Sequence, residues 1–425
     1  MRLGDDTTKS PAHLTYCTNI HAGETWAEVR RNLVEHVRAV KQRVAPDRPF
    51  GVGLRLGAAA ARDLAAPGAR ADLQQLLADN GMYVFTINAF PYGAFHGQVV
   101  KESVYRPDWL EPERRAYTDV VADLLTHLLP ADGGLAGSIS TVPGCFRERA
   151  FAAHAAGAFA LMGREVALAA VTLFRQREAG RPTIGLALEP EPACACETTA
   201  EVATFLEQQV YAGAGRAAFA EVTGLGPGAA ETALRRHVGV CLDACHAAVE
   251  FEEPTEGVDL LAAAGIPIFK LQVSTGLRIV QPDRDKLRAL ARFAEGVYLH
   301  QVVIRRGDTL DRIVDLPEAL ARHDASIVGP AGLGDEWRVH FHVPVFRSAL
   351  GAFENTGAFL RTLLARAAAR PFTSHLEVET YTFDVLPEEH RGEPVADAVA
   401  RELGFTLAAL GEPPFPAPHP RSPAA

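Results

Sequence analysis

A chain of 425 residues with 48% apolar and 22% charged side chains has the balance of a globular protein with a large core, which excludes a disordered or fibrous chain. Its 42 Lys and Arg against 52 Asp and Glu leave a net charge of −10. That argues against nucleic-acid binding, because neutralising phosphates needs a basic surface. No run of about 18 apolar residues is present, so no membrane insertion is expected.

The N-terminal MRLGDDTTKSPAHLTY lacks the apolar centre of a secretory signal. The six cysteines, Cys17, Cys145, Cys194, Cys196, Cys241 and Cys245, form no CxxC pair and match no common zinc module. The expectation is a cytoplasmic protein with reduced thiols. Length alone is a prior for two or three domains.

Strand-like runs follow one another along the chain: HLTYCTN (13–19), FGVGLRL (50–56), MYVFTIN (82–88), LAGSIST (135–141), TIGLALE (183–189), VGVCLD (238–243), IPIFKLQV (266–273) and HLEVETY (375–381). Most are nearly continuously apolar, as parallel strands covered on both faces are. Between them lie amphipathic stretches at 24–44, 69–80, 112–129, 148–178, 197–211, 228–236 and 351–369. Pro112 stands where a helix start tolerates its missing N–H. Eight such repeats predict an α/β fold, a single (β/α)₈ barrel spanning 1–410.

One interval breaks the rhythm. Residues 274–374 hold two further strand-like runs, VYLHQVVI (297–304) and WRVHFHVPVF (337–346). With no Pro/Ser linker to isolate it, this segment reads as an elaboration between the seventh and eighth barrel strands. The Pro-rich tail 411–425 is expected to be extended or disordered.

Metal-competent side chains fall at the C-terminal ends of successive predicted strands, the face where barrel active sites are built. Glu189 ends the fifth, Asp243 the sixth, Gln272 the seventh and Glu379 the eighth. One such acid alone is ordinarily a helix cap or a salt-bridge partner. Four on consecutive strands point to an oxygen-rich site for Mn²⁺ or Mg²⁺, with Zn²⁺ or Co²⁺ admitted if histidine joins. By strand alternation Glu377 shares the face of Glu379, and Glu191 is the corresponding alternative to Glu189.

LALEPEP, LDACH, KLQVS and VETYTF resemble the strand-end segments of the xylose-isomerase-like superfamily of metal-dependent barrels. That superfamily includes hydroxypyruvate isomerase, ketose 3-epimerases and endonuclease IV. The resemblance implies that Glu189, Asp243, Gln272 and Glu379 are metal ligands, and that Glu189 and Glu379 are the acid/base pair. HLTYCTNIHAGETW, INAFPYGAFHGQVVKESVYRPDW and GSISTVP resemble signature segments of the metabolite traffic protein EboE family, over nearly the whole chain. That likeness implies a link to metabolite production or export.

A surrounding set of residues is expected to bind substrate. His246 follows Asp243 in CLDACH. His340 and His342 lie two apart in RVHFHVP, where endonuclease IV has an Asp-x-His, and Lys270 stands where a seventh-strand histidine is found in relatives. Arg55 closes the second strand, and the loop after the third supplies Asn88, Tyr92, His96 and Lys101. Phe90, Pro91 and Gly93 in that loop fit either a cover over a sugar ring or a plain rigid turn. Tyr105 and Trp109 read as packing residues. GLGPG (224–228) lacks the lysine of a phosphate-binding loop, and GSISTVPG has the wrong order for a nucleophile elbow.

The expected function is therefore divalent-metal-dependent isomerisation or epimerisation of a sugar, cyclitol or polyol, free or phosphorylated. Two glutamates would transfer the proton next to a carbonyl while the cation steadies the enediolate. The alternatives are a metal-dependent phosphoesterase resembling endonuclease IV and a non-catalytic metabolite-binding partner of an export system.

Overall fold

The computed structural model describes residues 1–4, 12–94, 96, 99–130, 134–152, 157–324, 329–383, 385–388 and 391–415. Most of the expected tail, from 416 onward, lies outside these residues.

Seven strands come first: β1 (His13–Tyr16), β2 (Phe50–Arg55), β3 (Met82–Asn88), β4 (Gly137–Thr141), β5 (Ile184–Leu188), β6 (Val238–Asp243) and β7 (Ile268–Val273). The chain then leaves for β8 (Leu277–Val280), β9 (Val302–Arg306), β10 (Thr309–Ile313), β11 (Glu336–Val339), β12 (Ala349–Leu350) and β13 (Phe353–Asn355). It returns as β14 (His375–Val378). β1 to β7 and β14 pair in parallel in the order β1-β14-β7-β6-β5-β4-β3-β2, which is the eight-stranded barrel that the sequence predicts. Every residue of β2, β4, β5 and β6 is buried, because side chains fill the barrel on one face and meet the helices on the other.

The barrel closes between β1 and β2 through a parallel bridge of Cys17 to Gly53. The Thr15 hydroxyl takes the place of further pairing. It donates to Gly51 O at 2.7 Å and accepts from Gly53 N at 3.0 Å. Gly53 is required there: a Cβ would fall 2.6 Å from Tyr16 O and 1.9 Å from a carboxylate oxygen of Glu377.

The helices begin where their sequences provide caps. Thr25 and Thr198 each form a capping box with the glutamate three residues on, and Pro112 opens Pro112–Leu128. Several helices beyond the sequence-based list complete the shell, among them Ala58–Leu64 and Val395–Leu410. The second of these packs on Arg38–Val44 and Gly357–Ala369.

Between β7 and β14 the chain builds an antiparallel sheet of order β10-β9-β11-β8-β13-β12. It has its own apolar cluster around Leu277, Ile304, Trp337, Phe341 and Phe353. The run expected as one strand over 337–346 pairs only as far as Val339. Beyond it the alternation continues without a partner strand. Phe341 and Val343 enter the insertion's core, while His340 and His342 turn to the barrel mouth.

Glu402, on Val395–Leu410, is buried and accepts hydrogen bonds from Thr380 Oγ1 at 2.7 Å and Val345 N at 3.2 Å. Burial raises its carboxyl to about 8, against an ordinary 4.5. A raised folded-state value means that this group favours the fold below pH 4.5, and that the contribution is lost as pH rises toward 8. The slope is up to about 1.4 kcal/mol per pH unit. Glu402→Gln keeps both bonds without the charge. In denaturant melts it is expected to exceed wild type at pH 8 and match it at pH 5; equal midpoints at pH 8 would refute this.

Candidate functional site

Glu189, immediately after β5, is held by its N–H to Thr141 O at 3.0 Å. Asp243 is the last residue of β6, and its Oδ1 accepts from Cys245 N (2.7 Å), His246 N (3.0 Å) and Ser274 Oγ (2.7 Å). It therefore does cap the helix Ala244–Val249, with one oxygen. Its other oxygen, Oδ2, is buried and has no hydrogen-bond partner among the described residues. Glu379, just past β14, accepts through Oε1 from Asn19 Nδ2 at 2.7 Å and Asn88 Nδ2 at 3.1 Å. Oxygens of Glu189, Asp243 and Glu379 all lie within 4.8 Å of one another.

Gln272 stands beside them in register, opposite Asp243 on β6 and Glu377 on β14. It is fully buried, and neither amide atom has a hydrogen-bond partner among the described residues; Glu189 Oε2 is likewise unpartnered. Unpaired buried polar atoms are costly, and here they stand at the ends of three adjacent strands. Burial first, and then the neighbouring carboxylates, push Glu189 and Glu379 well above the usual carboxyl range. A divalent cation would remove that penalty for Glu189 and Glu379 and give Asp243 Oδ2 a partner. The donor set is mainly oxygen, which suits Mg²⁺ or Mn²⁺. The residues present fit such an ion.

Of the paired alternatives, Glu379 faces the cavity and Glu377 does not. Glu377 and Lys270 form an ion pair at 2.5 Å, both fully buried. Lys270 is thereby corrected from a substrate residue to a barrel-interior one. It lies two positions before Gln272, on the same inward face but one side-chain layer deeper. Burial works against the charged Lys270 ammonium, but Glu377 outweighs it and holds the pKa above the ordinary lysine value. Glu189 and Glu191 both face the cavity. Glu191 Oε1 accepts from Tyr105 Oη at 2.7 Å, and burial raises its carboxyl to about 8.

Three histidines adjoin the carboxylates. His246 and His340 meet Nε2 to Nε2 at 3.1 Å, and His340 meets His342 the same way at 3.2 Å. Burial lowers all three below the usual imidazole value, His246 to about 4. The Cys245 thiol lies in the same group.

A cavity of about 60 Å³ opens over these residues, with space for several waters. Its walls include Asn19, Asn88, Phe90, Lys101, Tyr105 and Tyr381. The structure thus brings Asn88 together with Glu189, Glu379, His246, His340 and His342. Arg55, Tyr92 and His96 go elsewhere. Arg55 donates to Gly23 O, Glu24 Oε1 and Gly93 O at 2.7–2.9 Å, and so ties two loops together. The Tyr92 ring packs edge-on against Tyr117 at 5.1 Å, and His96 lies near enough to His21 to lower its pKa. The loop after β3 reaches the cavity with Asn88, Phe90 and Pro91 and again with Val100 and Lys101, but not with Tyr92 or His96.

Trp109 is a packing residue, fully buried and bonded to Val142 O. Tyr105 is not merely packing. It links Glu191 to Gln301, whose Nε2 donates to Tyr105 Oη at 2.7 Å. Gln301, Ser274 and Tyr381 are not among the residues expected at the site, although Ser274 ends KLQVS and Tyr381 lies in VETYTF. Only strand-end position could have pointed to Ser274.

No family model and no curated protein matches this chain. Solved structures do resemble it. A xylose isomerase-like TIM barrel protein from Mycobacterium smegmatis in complex with magnesium aligns at 11% identity and TM-score 0.48, over 94% of this chain and 96% of that one. An L-ribulose 3-epimerase aligns at 12% and 0.45, covering 94% and 95%. An IOLI protein with a bound zinc atom gives 12% and 0.43, covering 94% and 98%. At these identities the likeness is one of fold.

Proposed function

We propose that this protein is a divalent-metal-dependent isomerase or epimerase acting on a sugar, cyclitol or related polyol, free or phosphorylated. The observation that carries the reading is that oxygens of Glu189, Asp243 and Glu379 lie within 4.8 Å of one another, while Glu189 Oε2, Asp243 Oδ2 and the neighbouring Gln272 amide have no hydrogen-bond partner among the described residues. Glu189, Asp243, Gln272 and Glu379 would hold the ion, which when bound polarises substrate oxygens beside the reacting carbon.

The chain's own groups account for the proton transfer. Glu189 follows β5 and Glu379 follows β14, so the two carboxyls approach the cavity from different sides of the barrel. One removes the proton next to the carbonyl and the other returns a proton to the neighbouring carbon or the opposite face. Asn19 and Asn88 fix Glu379 by bonding one oxygen and leave the other to act. Phe90 and Tyr381 line the same cavity with apolar ring surface. The resemblance to the EboE family is the ground for linking this activity to metabolite production or export. The histidine trio favours a second reading, a metal-dependent phosphoesterase, because phosphoryl chemistry uses clustered metals.

The test is incubation of Mn²⁺-loaded protein in D₂O with aldoses, ketoses, oxidised cyclitols and their phosphates, followed by NMR. Deuterium entering at carbon next to a carbonyl is expected with at least one of them. Release of phosphate without exchange would replace the isomerase reading with the phosphoesterase.

A further inference from the structure

A separate cavity of about 400 Å³ lies on the other side of Gln301 from the first, a size in the usual range for small-molecule sites. Gln301 and Pro192 form part of its wall, joined by the bond from Gln301 Nε2 to Pro192 O at 2.9 Å. The remaining walls come from the segment after β4, the loop after β5, the end of the helix after β6, and the β9–β10 hairpin of the insertion. Phe146, Phe151, Val302 and Val314 make it largely apolar. Phe151 is 59% exposed, so that side opens to solvent.

Into this apolar space the chain places charge. Arg147 Nη1 lies 3.0 Å from Glu197 Oε2, and Arg312 Nε lies 2.7 Å from Glu250 Oε2 and 3.7 Å from Glu197 Oε2. Glu201, 3.5 Å from Arg147, and the exposed Glu148 draw on the same two arginines, so the acids outnumber the bases. Glu197 has both oxygens engaged, since Oε1 accepts from Ala193 N at 3.0 Å. Glu250 does not. It is 3% exposed, and its Oε1 has no hydrogen-bond partner among the described residues.

A buried carboxylate oxygen without a donor is costly, and local structure gives no reason for an acid here. Glu250 ends the helix Ala244–Val249, where the helix dipole disfavours negative charge. Burial raises its carboxyl to about 7 in spite of Arg312. What the position lacks is a second donor, preferably a positive one.

We propose that this cavity is a second binding site, for a small organic cation with a primary ammonium head and an apolar body. The ammonium donates to Glu250 Oε1, and the body covers Phe146, Phe151 and Val314. An anionic head would meet the surplus of acids, and a neutral hydroxyl would make the hydrogen bond without the charge. The site goes beyond the proposed function and does not depend on it.

The test is calorimetric titration of the full-length protein at pH 8 with three probes that share one apolar body: 2-phenylethylamine, 2-phenylethanol and 3-phenylpropionate. The amine is expected to bind one molecule per chain, at least about tenfold more tightly than either of the others. Glu250→Gln should weaken the amine by about 10–100-fold, as loss of a hydrogen bond between charged groups does. Phe151→Ala, a change on the open wall, should weaken it less, and it keeps the test decisive if Glu250→Gln misfolds. Glu189→Gln should bind the amine as wild type does. No binding of the amine, equal affinity for all three probes, or affinity unchanged in both Glu250→Gln and Phe151→Ala would overturn the site. Affinity lost in Glu189→Gln would place the amine in the first cavity and overturn it as well.

Discussion

Glu189→Gln and Glu379→Gln are each expected to abolish deuterium exchange into substrate, with losses of about 10²–10⁴-fold for removal of a general acid/base. Both changes keep the size of the side chain. In Glu379→Gln the amide oxygen still accepts from Asn19 and Asn88, which at 2.7 and 3.1 Å fix the position of the group. The fold should therefore survive, and circular dichroism and thermal melts should match wild type. The carboxyls of both residues are pushed well above the usual range chiefly by burial, so removing the charge relieves a penalty in the metal-free protein. Exchange retained at wild-type rates in both variants would end the assignment of these residues as the proton-transfer pair.

Lys270→Met is expected to destabilise the barrel by about 3–5 kcal/mol, the cost of leaving one member of a buried ion pair without its partner. The stranded group is Glu377, fully buried, with one oxygen already unpartnered and the other bonded only to Lys270. The double change Lys270→Met with Glu377→Leu removes both charges and should recover most of the loss. Urea midpoints of wild type, the single variant and the double variant check this directly. A single variant as stable as wild type would mean that the Lys270 ammonium is solvated, as a substrate-binding lysine would be, and would return it to the cavity.

The strand-end acids were legible because a buried parallel strand has a plain signature, a short apolar run ending in a polar residue. Glu189, Asp243 and Gln272 could be read that way, and so could the choice between Glu377 and Glu379 as a pair on one face. Alternation cannot say which of two inward residues reaches the mouth. That depends on how far each strand extends, and here the register of β7 with β14 sets Glu377 beside Gln272, one layer below Glu379. The same register explains why Lys270, inward-facing as expected, meets a carboxylate instead of a substrate.

Two of the loop residues, Tyr92 and His96, missed the cavity for a different reason, while Lys101 reached it. Asn88 ends a strand and reached the cavity, whereas Tyr92 and His96 lie beyond a turn whose direction no local pattern specifies. Tyr105 looked like packing because its partner Gln301 is 196 residues away in sequence. A hydrogen bond over that separation leaves no trace in either segment.

By itself, then, the sequence determined an eight-stranded barrel with a long insertion before its last strand, because periodicity and strand count are local properties. It also placed Glu189 and Glu379 at the strand ends that open on the cavity. Only the tertiary structure decided which donors share a point. Packing in three dimensions put His340 and His342 against His246, gave Gln301 the task of orienting a ring, and committed Lys270 to an interior ion pair. The insertion, which the sequence marked only as extra length, supplies much of the site. Its residues reach the barrel mouth because its own apolar core holds Phe341 and Val343 and leaves the alternate side chains facing the cavity.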